Sequence, residues 1–325
     1  MKGTYNIVVQ SRRMQYKFTI RRNITVISGD SATGKTTLIE LIQEYNNHGQ
    51  DSGVSISCER ECIVLSGRNW LRDLQQISGA IVFIDEGNRF MLTDEFARAI
   101  KNTDNYYVLI TRECLPHIPY SVEEKYGIRT SGKFGSLQPA VHEMYNLYSN
   151  RAIDTNFKPA CIITEDSNSG YDFFRGICKE GKIDCVSSGG KSNIFSNLLE
   201  KINDNVLIVA DGAAFGPELD RILLLMKSHD NIVLYLPESF EWMILAAGLL
   251  DSQEIDNILL EPSSFIDSIE YFSWEQFFTK VLGKITEGTI WKYSKKSLNP
   301  VYLHEANKRK IISIMGKIPG ITAEG

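Results

Sequence analysis

The segment Gly29-Asp30-Ser31-Ala32-Thr33-Gly34-Lys35-Thr36 constrains this chain more than any other feature. It reads as glycine, four free positions and then Gly-Lys-Thr. A β-branched run at 23–28 precedes it, and an apolar-periodic stretch follows from 35 to about 45, with Leu38, Ile39, Leu41 and Ile42 on one face. That order predicts strand, tight loop and helix. The glycines let the backbone turn so that successive N–H groups point inward, and the helix N-terminus adds partial positive charge. A loop of this kind holds nucleotide phosphates. Lys35 is spaced to reach the β and γ phosphates, the Thr36 hydroxyl to ligate magnesium, and Thr37 to complete the first helical turn.

A second run agrees with the first. Ile81-Val82-Phe83-Ile84 is an apolar strand that delivers Asp85 and Glu86 at its end, where α/β sheets bind ligands. With the loop, this resembles the Walker A and Walker B motifs of P-loop ATPases that carry a catalytic glutamate. The resemblance implies that Asp85 holds magnesium and that Glu86 polarises the attacking water. A third apolar run, Tyr106–Ile110, ends in Thr111-Arg112. In the resembled ATPases a polar residue at this place senses the γ-phosphate, so Thr111 and Arg112 are candidates, with a simple charged sheet edge as the alternative for Arg112. ATP is the expected nucleotide, since the one Asn-Lys-x-x segment, Asn307 to Lys310, ends in lysine rather than the aspartate that reads guanine. Asp85 follows Thr36 by 49 residues, too few for the helical arm or coiled coil of ABC-type or SMC-type ATPases. The expectation is a compact P-loop core.

Strand–helix alternation continues on both sides of these motifs. Strands are expected at 5–10, 14–20, 62–65 and 80–84, and helices at 70–77 and 96–101. Residues 113–158 read as less regular, interrupted by Pro116, Pro119, Gly127, Gly132, Gly135 and Pro139. Alternation restarts with strands at 161–164, 184–186, 206–210 and 232–236, and helices at 171–178, 193–202, 217–227 and 239–249. The fold class is therefore α/β: a P-loop NTPase parallel sheet followed by a second, smaller α/β domain. Domain bounds are expected at 1–155, 156–250 and 251–325, the last a mixed, mostly helical extension with an amphipathic helix at 274–282.

In the second half, Cys161–Thr164 ends in Glu165-Asp166, Val186 leads into a Ser-Ser-Gly-Gly-Lys turn, and 206–210 ends in Asp211. A glutamate after the first strand, a glycine turn after the second and an aspartate after the third resemble a TOPRIM domain. More specifically, they resemble the TOPRIM half of OLD-like nucleases, which join an ATPase to a metal-dependent nuclease. The resemblance covers about 160–245 and implies Glu165 and Asp211 as magnesium or manganese ligands, helped by Asp166, Glu238 or Glu241. The chain departs from the pattern at Ala213, where TOPRIM sites carry a second aspartate. Gly189-Gly190-Lys191-Ser192 is no second P-loop, because Cys185 stands where the leading glycine belongs.

With 325 residues, 43% hydrophobic and 23% charged, the composition is that of a globular protein of about two domains. A net charge of −5 gives no global attraction for nucleic acid, leaving the lysine-rich tail, with Trp291, Tyr293 and Tyr302 interleaved, as either a local strand-binding surface or a solvated face. No run of 18 apolar residues occurs, so no membrane partner is expected. The six cysteines form no disulfide or zinc pattern and read as reduced thiols of a cytoplasmic protein. Two functions follow. One is an ATP- and magnesium-dependent enzyme that gates an OLD-like nuclease acting on DNA. The other is a regulatory or motor ATPase whose second domain binds a partner without cutting. A small-molecule kinase ranks last, with only Arg112 and Arg129 for a lid. A homo-oligomer is expected by analogy, since such ATPases commonly complete their sites in trans.

Overall fold

The computed structural model describes residues 1–29, 33–131, 140–148 and 157–316. The chain is α/β and packs as two units. One comprises Met1–Ser149 with Glu261–Phe272, and the other Asn150–Leu260 with Ser273–Gly325. The boundary expected at 155 falls outside the described residues, and the stretch expected as a C-terminal extension is shared between the two units. Among the described residues no helix is long and apolar enough to cross a membrane.

The first unit runs β1 (Tyr5–Gln10), β2 (Met14–Ile20), β3 (Ile24–Ile27), α1 (Lys35–His48), β4 (Ser55–Ser57), β5 (Cys62–Val64), α2 (Trp70–Leu74), β6 (Ile81–Ile84), α3 (Asp94–Ile100), β7 (Tyr106–Ile110), β8 (Lys125–Ser131) and β9 (Ala140–Asn146). One mostly parallel sheet holds all nine strands in the order β4-β1-β2-β9-β8-β3-β7-β6-β5. β3, β6 and β7 are buried along their whole length because both faces are covered. Ile27, Phe83, Val108 and Ile110 pack with Leu38, Ile39 and Ile42 of α1. Val26, Val82, Ile84 and Leu109, one residue out of phase, pack with Trp70, Leu74, Phe96 and Ile100 of α2 and α3.

The region expected to be irregular contributes two strands to the middle of this sheet. β8 and β9 pair antiparallel, with Ile128 opposite Met144, and join the β1–β2 hairpin to β3. Their sequences, KYGIRTS and AVHEMYN, mix charges with few apolar residues, so no local pattern marks them as central strands. The ends of the sheet are also unexpected. β4 and β5 lie at opposite ends of the strand order, yet only residues 58–61 separate them. So short a link spans at most about 17 Å, so the sheet must curl until its edges approach each other. α1 lies in the hollow, in contact with β1, β4 and β5.

The second unit runs β10 (Cys161–Thr164), α4 (Ser169–Gly181), β11 (Asp184–Ser187), α5 (Lys191–Glu200), β12 (Val206–Val209), α6 (Gly216–Met226), β13 (Ile232–Tyr235), α7 (Phe240–Ala246), α8 (Gln253–Leu260), α9 (Trp274–Ile285) and α10 (Glu305–Ser313). Its four strands are all parallel, in the order β11-β10-β12-β13. The chain reverses its winding between β10 and β12, so the carboxyl ends of these two strands flank the crevice where doubly wound sheets place ligands. α9 and α10 both pack on α7.

Candidate functional site

β3 lies near the middle of the first sheet, and the glycine loop leaves its carboxyl end. Gly29 and Gly34 bracket the described part of the loop at φ +121° and +90°. Asp30, Ser31 and Ala32 lie outside the described residues. α1 starts at Lys35 with Gly34 as its cap, no capping side chain and no acid in its own first turn to compete for its leading N–H groups. Lys35 is buried, and its ammonium donates to the Gly29 carbonyl (2.9 Å) and Thr33 Oγ1 (3.0 Å). Thr36 is exposed and Thr37 half-buried on the same turn.

Beneath the loop are two residues that sequence reasoning missed. The Tyr16 hydroxyl donates to the Gly34 carbonyl at 2.8 Å, and its ring stacks on His142 with centroids 4.6 Å apart. A Cβ on Gly34 would stand 2.7 Å from that hydroxyl and 3.3 Å from the imidazole. Burial pushes the Tyr16 phenol up to about 12 and lowers His142 from its ordinary value, so both are neutral at pH 7 and add no charge under the loop. His142 belongs to β9, which had no sequence signature; Tyr16 read simply as a strand residue.

The acids come from β6. Asp85 follows its last residue, and Asp85 Oδ1 is buried with no hydrogen-bond partner among the described residues. Asn88 fixes the turn, giving its N–H and its Nδ2 to the Asp85 carbonyl (3.0 and 3.1 Å) and accepting from Gly67 N–H at 3.1 Å. Glu86 forms a two-point ion pair with Arg112, at 3.3 Å (Nε–Oε2) and 3.5 Å (Nη2–Oε1). Thr111 is buried, and its hydroxyl accepts from the Glu113 N–H at 2.9 Å. Because β7 lies between β3 and β6, Thr111 and Arg112 leave the sheet between the glycine loop and the two acids.

No protein-family model and no curated protein matches this chain.

In the second unit Glu165 and Asp211 meet across the crevice, with the Asp211 N–H donating to Glu165 Oε2 at 3.0 Å. Asp166 and Glu241, expected as helpers, add charge here, and Glu275 and Lys295 add more that spacing could not reveal. Asp211 Oδ1 accepts from Phe240 N–H (3.2 Å), Asp166 Oδ1 from Tyr171 N–H (3.1 Å), and Glu241 from the Tyr293 hydroxyl (2.7 Å), which also meets Ser169 at 2.6 Å. Glu275 from α9 lies 3.6 Å from the Lys295 ammonium. Glu165 and Asp211 keep some accessible surface, but protein crowds both carboxylates. Burial, with Glu275 adding charge, pushes Glu165 up to about 7 and raises Asp211 well above its usual range. Burial alone would lower Lys295, but Glu241, Glu275, Asp211 and Asp166 outweigh it and raise it.

This donor set does not fit a divalent ion well. The adjoining cavity is about 30 Å³, room for one or two waters. Among the described residues no three His, Cys, Asp or Glu side chains gather as metal ligands would. Ala213 is buried, and its N–H donates to the Glu238 carbonyl at 3.3 Å. Gly212 approaches β13 so closely that a Cβ would lie 2.5 Å from the Leu236 carbonyl oxygen. The turn after β12 is thus pressed against the chain leaving β13. Lys191 of the glycine turn spans to the Ala214 carbonyl at 2.8 Å.

Proposed function

We propose that the first unit binds ATP and hydrolyses it with magnesium. The observation that carries this reading is Asp85 Oδ1, a carboxylate oxygen buried with no partner among the described residues, at a strand end two places along the sheet from the strand that feeds the glycine loop. An unpaired buried charge is costly, and a cation at that oxygen would repay the cost. Thr36, exposed on the first turn of α1, is the second protein ligand expected for magnesium, which takes one or two protein oxygens and fills the rest with phosphate and water. When bound, the ion would offset the charge that builds on the phosphate oxygens. Lys35 exchanges its contacts with the Gly29 carbonyl and Thr33 for phosphate. The α1 N-terminus adds N–H donors. Glu86 orients and polarises the attacking water, and Arg112 holds Glu86 in place while carrying positive charge toward the transferred phosphate.

For the second unit we propose a partner-binding role without cleavage. Its carboxylates are committed to backbone N–H groups, to Tyr293 and to Lys295, and position 213 offers no second aspartate. Support for the nuclease reading is that Glu165 and Asp211 both line the crevice, where the Asp211 N–H donates to the Glu165 carboxylate.

Equilibrium titration with ATP tests the first proposal. Wild-type protein should bind ATP more tightly with magnesium than with EDTA, Lys35→Ala should lose binding at least tenfold, and Asp85→Asn should lose the magnesium dependence. ATP binding indifferent to magnesium and to Lys35 would sink it. Incubation with plasmid and single-stranded DNA in magnesium or manganese, with and without ATP, tests the second. Intact DNA is expected. Cutting that Glu165→Gln abolishes would restore the nuclease.

A further inference from the structure

Cys58 and Cys62 bracket the short link that closes the curled sheet between β4 and β5. Both sulfurs turn onto the backbone of Arg60 between them: Cys58 Sγ accepts the Arg60 N–H at 3.5 Å, and the Cys62 thiol donates to the Arg60 carbonyl at 3.9 Å. The two thiols are close enough to shift each other's acidity in opposite directions. Cys62 is buried and Cys58 half-exposed. A cavity of about 550 Å³ opens beside them between the two sheet edges, walled by Gln43, Tyr45 and Asn46 of α1 and by Ile56. A reagent arriving through it meets Cys58 first.

We propose that Cys58 and Cys62 are an oxidisable dithiol that takes a hydroperoxide as its substrate and closes to a disulfide across the two edges of the sheet. Cys58 thiolate attacks one peroxide oxygen; the O–O bond breaks, and the leaving hydroxide or alkoxide takes a proton to become water or an alcohol. Cys62 then gives up its proton and attacks the Cys58 sulfenic sulfur. The S–O bond breaks, the S–S bond forms and a water leaves. Two thiols lose two electrons, and one hydroperoxide gains them.

The division of labour follows from the surroundings. The neighbouring Cys62 thiol, against the opposing effect of burial and with help from the Arg60 N–H, brings Cys58 down to about 6, while the Cys58 thiol and burial raise Cys62. Cys58 is the attacking sulfur and Cys62 the resolving one. An unstructured cysteine peptide, alkylated under the same conditions, is the reference. At pH 6 the greater thiolate fraction of Cys58, offset by the lower nucleophilicity of a more acidic thiol, gives about tenfold faster alkylation than an ordinary thiol.

The proposal does not depend on ATP, and its test uses the whole native chain. Arg60 lies between the two cysteines, so trypsin separates them, and only a disulfide keeps their peptides joined. The protein is treated with one equivalent of hydrogen peroxide, blocked with an alkylating agent, digested without reductant and weighed by mass spectrometry. The Cys58 and Cys62 peptides should come out linked and fall apart on reduction, and in Cys62→Ser a sulfenic acid should be trapped on Cys58 by a cyclic dione. Alkylation of the untreated wild type at pH 6 should modify Cys58 about ten times faster than the reference peptide. If Cys58 reacts no faster than that peptide and peroxide links no peptides, the proposal is wrong, whatever the variant does.

Discussion

Gly34 carries two constraints at once. Its φ of +90° is one that L side chains avoid, and the Tyr16 hydroxyl occupies the space a methyl group would take. Gly34→Ala should therefore destabilise the first unit by at least about 1 kcal/mol and abolish ATP binding, read by denaturant unfolding and nucleotide titration. Arg112 should behave in the opposite way. Its pair with Glu86 is open to solvent on both sides, so it adds well under about 1 kcal/mol to stability. Arg112→Ala should leave the melting temperature essentially unchanged while turnover falls about tenfold or more. An unchanged turnover would remove Arg112 from the site.

At the scale of elements, β5 is an edge strand whose open side is served by a helix side chain. Asn46 of α1 donates to the Cys62 carbonyl (2.8 Å) and accepts from Val64 N–H (3.0 Å), standing in for a neighbouring strand. Asn46→Ala should cost about 1–2 kcal/mol in denaturant unfolding, since one residue satisfies two backbone groups. The strand before the glycines and the helix from Lys35 were legible in sequence because a β-branched run and a 3.6-residue period stand on either side of a glycine break. The same holds for β6, β7 and the four strands of the second unit, whose apolar runs stand between clear breaks. β8 and β9 were not legible, because their place in the sheet comes from pairing with each other and with β2 and β3, not from their own pattern. His142, Glu275 and Lys295 escaped for the same reason. Each reaches its site through tertiary packing from a segment far along the chain.

At the scale of the whole molecule, the two units should answer different variables. Glu165 holds its proton more tightly in the folded protein, at about 7, than the ~4.3 of an unfolded chain. Facing it are Asp211, Asp166, Glu275 and Lys191, and Asp211 shifts in the same direction. The folded state therefore binds more protons between about pH 4.5 and 7, and stability falls as pH rises through that window. From pH 5 to pH 8 the second unit should lose on the order of 2–3 kcal/mol through Glu165, and Glu165→Gln should flatten the profile. Urea unfolding at pH 5, 6.5 and 8 measures it; a wild-type profile as flat as that of Glu165→Gln would contradict the account. ATP with magnesium should in turn raise the unfolding temperature of the first unit, and Lys35→Ala should remove that rise.

If the acids at the end of β6 serve hydrolysis, phosphate release from ATP by wild type and Glu86→Gln, each with magnesium and with EDTA, should separate the two proteins. Wild type should release phosphate only with magnesium, Glu86→Gln should be slower by about 10²-fold or more, and ATP binding should be preserved in that variant. Equal release by both proteins, or release that persists in EDTA, would contradict that role.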